Sequence, residues 1–363
     1  MISNQPNLIL QSYSASAGSK NQANYFKPMK KLRLVLMMLI LLASLFVTKN
    51  LTAAVKGSNT PVLLGLYAPD YLGTQSVIDS QLRQIDQWAG KRHSIAGYFM
   101  DIEDSNLAYN IPVPLEQLWQ NGYTAFINFK STRQAVQIAR GDLDSKLQKM
   151  AKAYAEWTNR GEGRMAFIAL LQEMNIPGET YSKDPKNFKL AYQRIQKIFK
   201  DARVSPKTVR WVFAPNGWSE NSEHRFENYY PGNQQVDVVA FSSYNWGYCN
   251  NSTWHHWDGF KETFDPYIKR MQAMAPGKPI FLAQTGTTSN TKNGSLSAAK
   301  DQWFRDSYTN LAAKGVQAIL YFNINKECDW AIYSNSGKSA GYKDAVANPA
   351  FGYVSPIDLA KKM

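Results

Sequence analysis

Two short stretches carry the residues with which this chain can do chemistry: "LLQEMN" (170–175) and "FLAQTGT" (281–287). In each, an apolar run ends in polar groups. Glu173 offers a carboxyl that can give or take a proton, whereas Gln284 is a neutral amide that can only hydrogen-bond. Other apolar runs end in Asp101 and Glu103, in Asn216 and Trp218, in Tyr244, Asn245 and Trp246, and in Asn325, Glu327, Asp329 and Trp330. Carboxylates, amides and flat rings brought together suit a ligand with many hydroxyls and apolar faces, as a sugar ring presents. Cleaving a glycosidic bond takes one carboxyl as acid and, in retaining enzymes, a second as nucleophile about 5–5.5 Å away.

Gathering these groups requires strands whose C-terminal ends converge. From residue 61 onward, apolar segments alternate with amphipathic ones: "PVLLGLYAP", "SIAGYFMDIE", "YTAFINFK", "RMAFIALLQEMN", "TVRWVFAPN", "VDVVAFSSYNW", "KPIFLAQTGTT" and "VQAILYFNINK". In the seventh, 279–283 reads as the buried strand, Gln284 as its exit and 285–287 as a turn. Apolar strands separated by helices predict a parallel sheet covered on both faces. Eight such units in about 300 residues predict an α/β chain closed as a single (β/α)8 TIM barrel, with an open doubly wound sheet as the alternative. Strand exits are where such a barrel places its site.

The first strand is not followed by a glycine-rich dinucleotide loop, there is no Walker loop, and the four histidines have no zinc-hydrolase spacing. No cofactor and no metal are therefore expected. His255 and His256 are adjacent in "TWHHWDGF" (253–260) and point apart on an extended segment, which fits a loop wall rather than a metal pair. The formal charge of +13 is uneven: residues 1–54 hold six of the 41 basic residues and no acid, leaving +7 on the remainder. No basic run is interleaved with aromatics, so nucleic acid is not an expected partner. The basic surface leaves room for a weak preference for acidic polysaccharide or a membrane surface.

Taken together, "GDLDSKLQKMAKAYAEW", "EMN", "WVFAPN", "YYPGNQQVDVVAFSSYNWG", "KPIFLAQTG" and the late "DWAI" resemble glycoside hydrolase family 26 over roughly residues 60 to 335. That family holds β-mannanases, with some β-1,3-xylanases and mixed-linkage β-glucanases. The resemblance implies a (β/α)8 barrel, a polysaccharide partner and a retaining two-carboxylate mechanism. It makes Glu173 the acid/base and puts Gln284 where the nucleophile glutamate stands. Tyr244 matches a tyrosine that hydrogen-bonds the nucleophile, and Trp246 and Trp330 match sugar-stacking residues. Asn216, Gln172 and Asp329 complete the expected substrate-binding set. The chain departs from the family at Gln172, where a histidine is usual, near Ala169 or Leu170, where an arginine is usual, and in "NIPGETYS", which lacks the usual tryptophan platform.

Gln284 cannot form the ester-linked intermediate of a retaining enzyme. Three routes stay open: a replacement carboxylate from Asp101, Glu103 or Glu327; attack by a substrate 2-acetamido group oriented by Gln284; or a barrel that binds polysaccharide without cutting it. Cys249 and Cys328 follow the sixth and eighth strands, where long loops can bring them within bridging distance across the rim. At the N-terminus, "KPMKKLR" precedes a fourteen-residue run, 34–47, that is apolar but for Ser44, and then "LTAA". As a helix that run spans about 21 Å, short of the ~30 Å hydrocarbon core. Residues 1–54 therefore read as an N-terminal extension and an export signal, the signal running from Met29 to a cleavage after Ala53 or Ala54, with an uncleaved anchor as the alternative. Residues 55–363 form the barrel, and an exported location is expected under either version.

Overall fold

Eight strands close into a parallel barrel: β1 (Leu63–Tyr67), β2 (Ile95–Asp101), β3 (Thr124–Lys130), β4 (Ala166–Leu170), β5 (Val209–Phe213), β6 (Val238–Asn245), β7 (Ile280–Thr287) and β8 (Ala318–Phe322). They follow one another around the ring, with β8 pairing back onto β1. The computed structural model describes residues 60–249, 253–334 and 337–363. The expected export segment, 1–54, lies outside the described residues.

Alternation along each strand splits the core in two. Leu64, Leu66, Ile168 and Leu282 face the helices, while Leu63, Ile95, Phe126, Phe167 and Phe281 fill the barrel interior. Helices cover the outside, among them Asp144–Thr158, Pro185–Asp201 and Ser297–Ala313. Each buries an apolar stripe, as in Phe188, Ala191, Tyr192, Ile195 and Phe199 on the second of these. Between β5 and β6 the described helix is only a 3-10 turn, Phe226–Tyr229. Two close approaches need glycine. A Cβ on Gly97 would lie 2.5 Å from the Tyr67 ring, and one on Gly286 would stand 3.0 Å from Tyr244 and 3.1 Å from Trp330.

The expected turn at 285–287 is corrected here: β7 runs on through Thr287. What breaks its regularity is a bulge at Ala283. Opposite β6, Phe241 pairs with Leu282 but Ser242 with Gln284; opposite β8, Ile319 pairs with Leu282 but Tyr321 with Thr285. An extra residue therefore sits in β7 against both neighbours. Ile280 and Leu282 face the helices, so strict alternation would turn Gln284 outward with them. The bulge turns it into the barrel mouth instead.

Candidate active site

Glu173 stands where β4 ends in a left-handed turn: Leu171 has φ 53° and Glu173 φ 55°. Such backbone persists only where neighbours hold it. The Glu173 N–H donates to Ala214 O at 2.8 Å, and Met174 is fully buried. Asn175 locks the turn to the end of β5. Its Oδ1 accepts from Asn216 N at 2.8 Å, and its Nδ2 donates to Asn216 O and Trp218 O, both at 2.9 Å. In "EMN" the acid is thus flanked by a core anchor and a lateral clamp.

The Glu173 carboxyl accepts from Asn216 Nδ2 at 3.0 Å. Burial pushes its pKa up; the Asn216 amide and the nearby Ser242 hydroxyl pull against this, Glu179 adds to it, and Lys130 opposes it. The balance keeps the proton on Glu173 above the usual carboxylate range, as a general acid requires. In a retaining pair a neighbouring carboxylate helps to do this; here desolvation is the largest cause.

Gln284 is 4% exposed and bonded at both ends of its amide. Its Oε1 accepts from the Tyr244 hydroxyl at 3.2 Å and its Nε2 donates to Gln172 Oε1 at 2.8 Å. Gln172 precedes Glu173 in the chain, so this second bond holds Gln284 in the same site as the acid. Burial raises the Tyr244 pKa well above its ordinary value, with Glu173 a further cause, so the phenol remains a donor.

The bulge beneath Gln284 has its own support, which the sequence did not single out. Tyr67 on β1 donates its hydroxyl to Ala283 O at 2.9 Å, and Asn128 on β3 donates Nδ2 to that hydroxyl oxygen at 2.6 Å. The signal was present in "YTAFINFK", where Asn128 is an amide at an inward-facing position of an otherwise apolar strand.

Rings wall this side of the mouth. Tyr67 stacks on Phe99 at 5.3 Å, Phe322 lies 6.0 Å from Tyr67 and 6.1 Å from Tyr244, and Tyr244 lies 6.0 Å from Trp246. Trp246 is half-buried and offers a surface for stacking. Trp330 departs from expectation. It is 1% exposed, packed 5.3 Å from Tyr244 and 5.0 Å from Trp246, and so backs those rings without presenting a face to ligand. Cys249 and Cys328 form a disulfide with Cα atoms 5.8 Å apart, tying the loop after Trp246 to the loop before Trp330.

Asp329 also differs from its expected role. Its carboxylate accepts from Ser289 N at 3.1 Å, from Asn290 Nδ2 at 3.3 Å and from the Thr288 hydroxyl, so it caps the loop leaving β7. Buried Lys300 donates to Trp330 O and Ala331 O at 3.2 Å and fixes the same rim from below. Of the possible replacement carboxylates, Glu103 accepts through Oε1 from Ser131 Oγ at 2.8 Å and from Thr132, while its Oε2 is buried with no hydrogen-bond partner among the described residues, and Asp101 accepts from Glu103 N at 2.8 Å. Glu327 pairs with Lys326 at 2.8 Å and approaches Trp330 Nε1 at 3.5 Å. The 253–260 loop closes on itself, with Trp254 Nε1 and His256 Nδ1 both bonded to Asp258.

A closed parallel barrel whose mouth brings together a buried carboxyl, a buried amide pair and a wall of rings has the architecture of the (β/α)8 barrel proteins. The comparisons agree at the level of fold and topology, which match the glycoside hydrolase family 26 type of barrel. A modular endo-β-1,4-mannanase from Cellulomonas fimi superposes with a TM-score of 0.60 at 14% identity, over 82% of this chain and 74% of that one. A family 26 β-mannanase from Bacteroides ovatus gives 0.58 at 13% identity, over 82% and 91%. The family 26 domain of an endo-β-mannanase/endo-β-glucanase from Prevotella bryantii gives 0.55 at 13% identity, over 83% and 92%. In sequence, the chain is 24% identical over 332 residues to Endoglucanase H of Acetivibrio thermocellus, covering 82% of this chain and 34% of that protein. No family model matches the chain.

Proposed function

We propose that this chain is an exported protein of the glycoside hydrolase family 26 type that acts on a β-linked polysaccharide, with a β-mannan as the first candidate and a mixed-linkage or β-1,4-glucan as the second. The observation that carries this proposal is a ring-walled mouth in which Gln284, held by Tyr244, donates to Gln172, and Gln172 is the chain neighbour of Glu173, held by Asn216. Glu173 is the acid that would protonate the glycosidic oxygen. Trp246 and Phe99 supply apolar faces for pyranose rings, backed by buried Phe322, and Asn216 and Gln172 supply hydrogen bonds. The mannanases and endoglucanase to which the chain is similar support the polysaccharide class.

A second function, polysaccharide binding without cleavage, is favoured by the state of Gln284. Tyr244 donates to its oxygen and its nitrogen donates to Gln172, an arrangement suited to a neutral, fixed side chain and not to attack on an anomeric carbon. Incubation with mannan, xylan, mixed-linkage glucan and amino-sugar polymers separates the two. Release of reducing ends supports the enzyme, and cleavage confined to the amino-sugar polymer points to the acetamido route. Calorimetric binding without release supports the binding protein. Neither release nor binding across the panel refutes both.

A further inference from the structure

The excess of positive charge is scattered along the sequence, but the barrel gathers it at one end. The strands after β1 are entered from 90–94, 121–123, 159–165, 202–208, 230–237, 275–279 and 314–317, each running from the end of a helix to the next strand. Segment 347–363 closes the same end. Phe351 bridges to Val62 just before β1, the Val354 N–H donates to Ser94 Oγ at 2.9 Å, and Val354 and Leu359 join the core inside the barrel. Together these segments hold ten lysines and arginines against three aspartates and glutamates. The segments that leave the strands, 68–74, 102–106, 131–134, 171–184, 214–225, 246–259, 288–296 and 323–339, hold six against eleven. The barrel is therefore polar along its axis, with an acidic mouth and a basic opposite end.

Half of that basic end is uncommitted. Arg164 is taken up by Glu116 at 3.0 Å and Lys314 by Asp265 at 2.8 Å. Arg92, Arg203, Lys207, Lys361 and Lys362, by contrast, are exposed and enter no ion pair among the described residues. Lys361 and Lys362 end the helix Pro356–Lys362, and Ile357, 39% exposed, stands one turn before Lys361 on the same face. Beside this helix Arg92 and Arg83 line a groove of about 240 Å³ with Trp119 and Tyr353, and no acidic residue borders it. Two guanidinium groups beside two rings suit a phosphate headgroup. A polymer strand would follow a line of charge, whereas here basic residues stand before five of the eight strands and on the helix that closes the barrel, as a flat anionic surface requires. The chain also enters β1 from this end. In sequence, residues 48–59 separate the described barrel from the apolar run 34–47, and twelve residues reach at most about 40 Å.

We propose that the strand-entry end of the barrel docks on an anionic phospholipid bilayer through Arg92, Arg203, Lys207, Lys361 and Lys362, and so turns the mouth away from the membrane. This rests on the placement of charge and not on what the mouth binds. The test sediments the full chain with vesicles of phosphatidylcholine, with and without phosphatidylglycerol. Wild type should bind the anionic vesicles about a hundredfold more tightly than the neutral ones and be released as salt rises. Arg203→Gln, Lys207→Gln, Lys361→Gln and Lys362→Gln combined should remove this preference, at about fivefold per group, with an unchanged melting temperature because all four are exposed. A control with the same net charge, Lys149→Gln, Lys152→Gln, Lys186→Gln and Lys292→Gln, alters helix flanks and the mouth and should stay within about twofold of wild type. Where the apolar run holds every variant on both kinds of vesicle, amide hydrogen exchange reads the face directly. Segments 202–208 and 356–362 should slow on anionic vesicles in wild type but not in the combined variant. Equal binding to both vesicles without such slowing, or an equal loss in the control, overturns the proposal. So does face-dependent binding to soluble polygalacturonate with none to anionic vesicles, which would make the partner an acidic polysaccharide.

Discussion

Replacing Gln284 by glutamate alters almost nothing of its shape and all of its chemistry. The side chain is 4% exposed, so the new carboxylate would be desolvated. Two donors are already placed for it. The Tyr244 hydroxyl lies 3.2 Å from Oε1, and Gln172, now accepting at 2.8 Å, need only turn its amide over to donate. Hydrogen bonds to a charge contribute about 1.5–3 kcal/mol each, against an effective burial cost of several kcal/mol, which leaves Gln284→Glu roughly 1–3 kcal/mol less stable at neutral pH. The new anion would also raise the Glu173 pKa further, favouring the proton donor. With nucleophile and acid both present, hydrolysis of a β-1,4-linked mannan or related β-glycan should rise at least about a thousandfold, some 4 kcal/mol of barrier. The product should retain its anomeric configuration, and glycan affinity should change far less than rate. Reducing-end release gives the rate, proton NMR of the first product gives the anomer, and calorimetry gives the affinity. If the natural protein already cleaves the glycan briskly and Gln284→Glu leaves the rate unchanged or lowers it, Gln284 does not occupy a nucleophile's place.

Glu173→Gln should abolish any cleavage, in either the natural or the Gln284→Glu background, while leaving glycan binding measurable by calorimetry. The raised folded pKa of Glu173 means that its contribution to stability is complete below the unfolded value of about 4.3 and is lost as pH rises through the folded value. The melting temperature of Glu173→Gln should therefore gain on wild type between about pH 4 and pH 7, and a constant difference would refute this sign. Tyr67→Phe removes the donor to Ala283 O and strands the Asn128 amide, so urea unfolding should show a loss of about 1–3 kcal/mol, with weaker glycan binding as the bulge relaxes. Reducing the Cys249–Cys328 bridge, which closes a separation of 79 residues, should cost up to about 4 kcal/mol in the same assay, and an unchanged midpoint would show that the rim holds without it.

The barrel was legible because its signal is repeated. Each apolar run is bounded by polar residues, and closure of eight such strands leaves their ends one place to converge. "EMN" was legible because the three residues act together: the acid, the buried methionine and the clamping asparagine are all local. The bulge was not. It rests on a tyrosine and an asparagine from strands far away in sequence, and strict alternation puts Gln284 on the wrong side of β7. Trp330 was misjudged for a related reason. A ring at a strand exit looks the same in sequence whether it faces ligand or backs another ring, and here Gly286 lets Trp330 sink behind Tyr244. Topology permitted a bridge between Cys249 and Cys328, since both cysteines sit on loops at the same end of the barrel, but two free thiols fitted the sequence equally well until the structure brought their Cα atoms to 5.8 Å.

The bulge in β7 also bears on how this site can change over time. Its geometry is held by Tyr67 and Asn128 acting on the Ala283 carbonyl, not by the side chain that projects from it. The position is therefore aimed into the barrel mouth whichever residue it carries. Codons for glutamine and glutamate differ at their first base alone. On the proposed function, a lineage with this barrel stands one point mutation from exchanging a holder of polysaccharide for a cutter of it, in either direction, without rebuilding the fold.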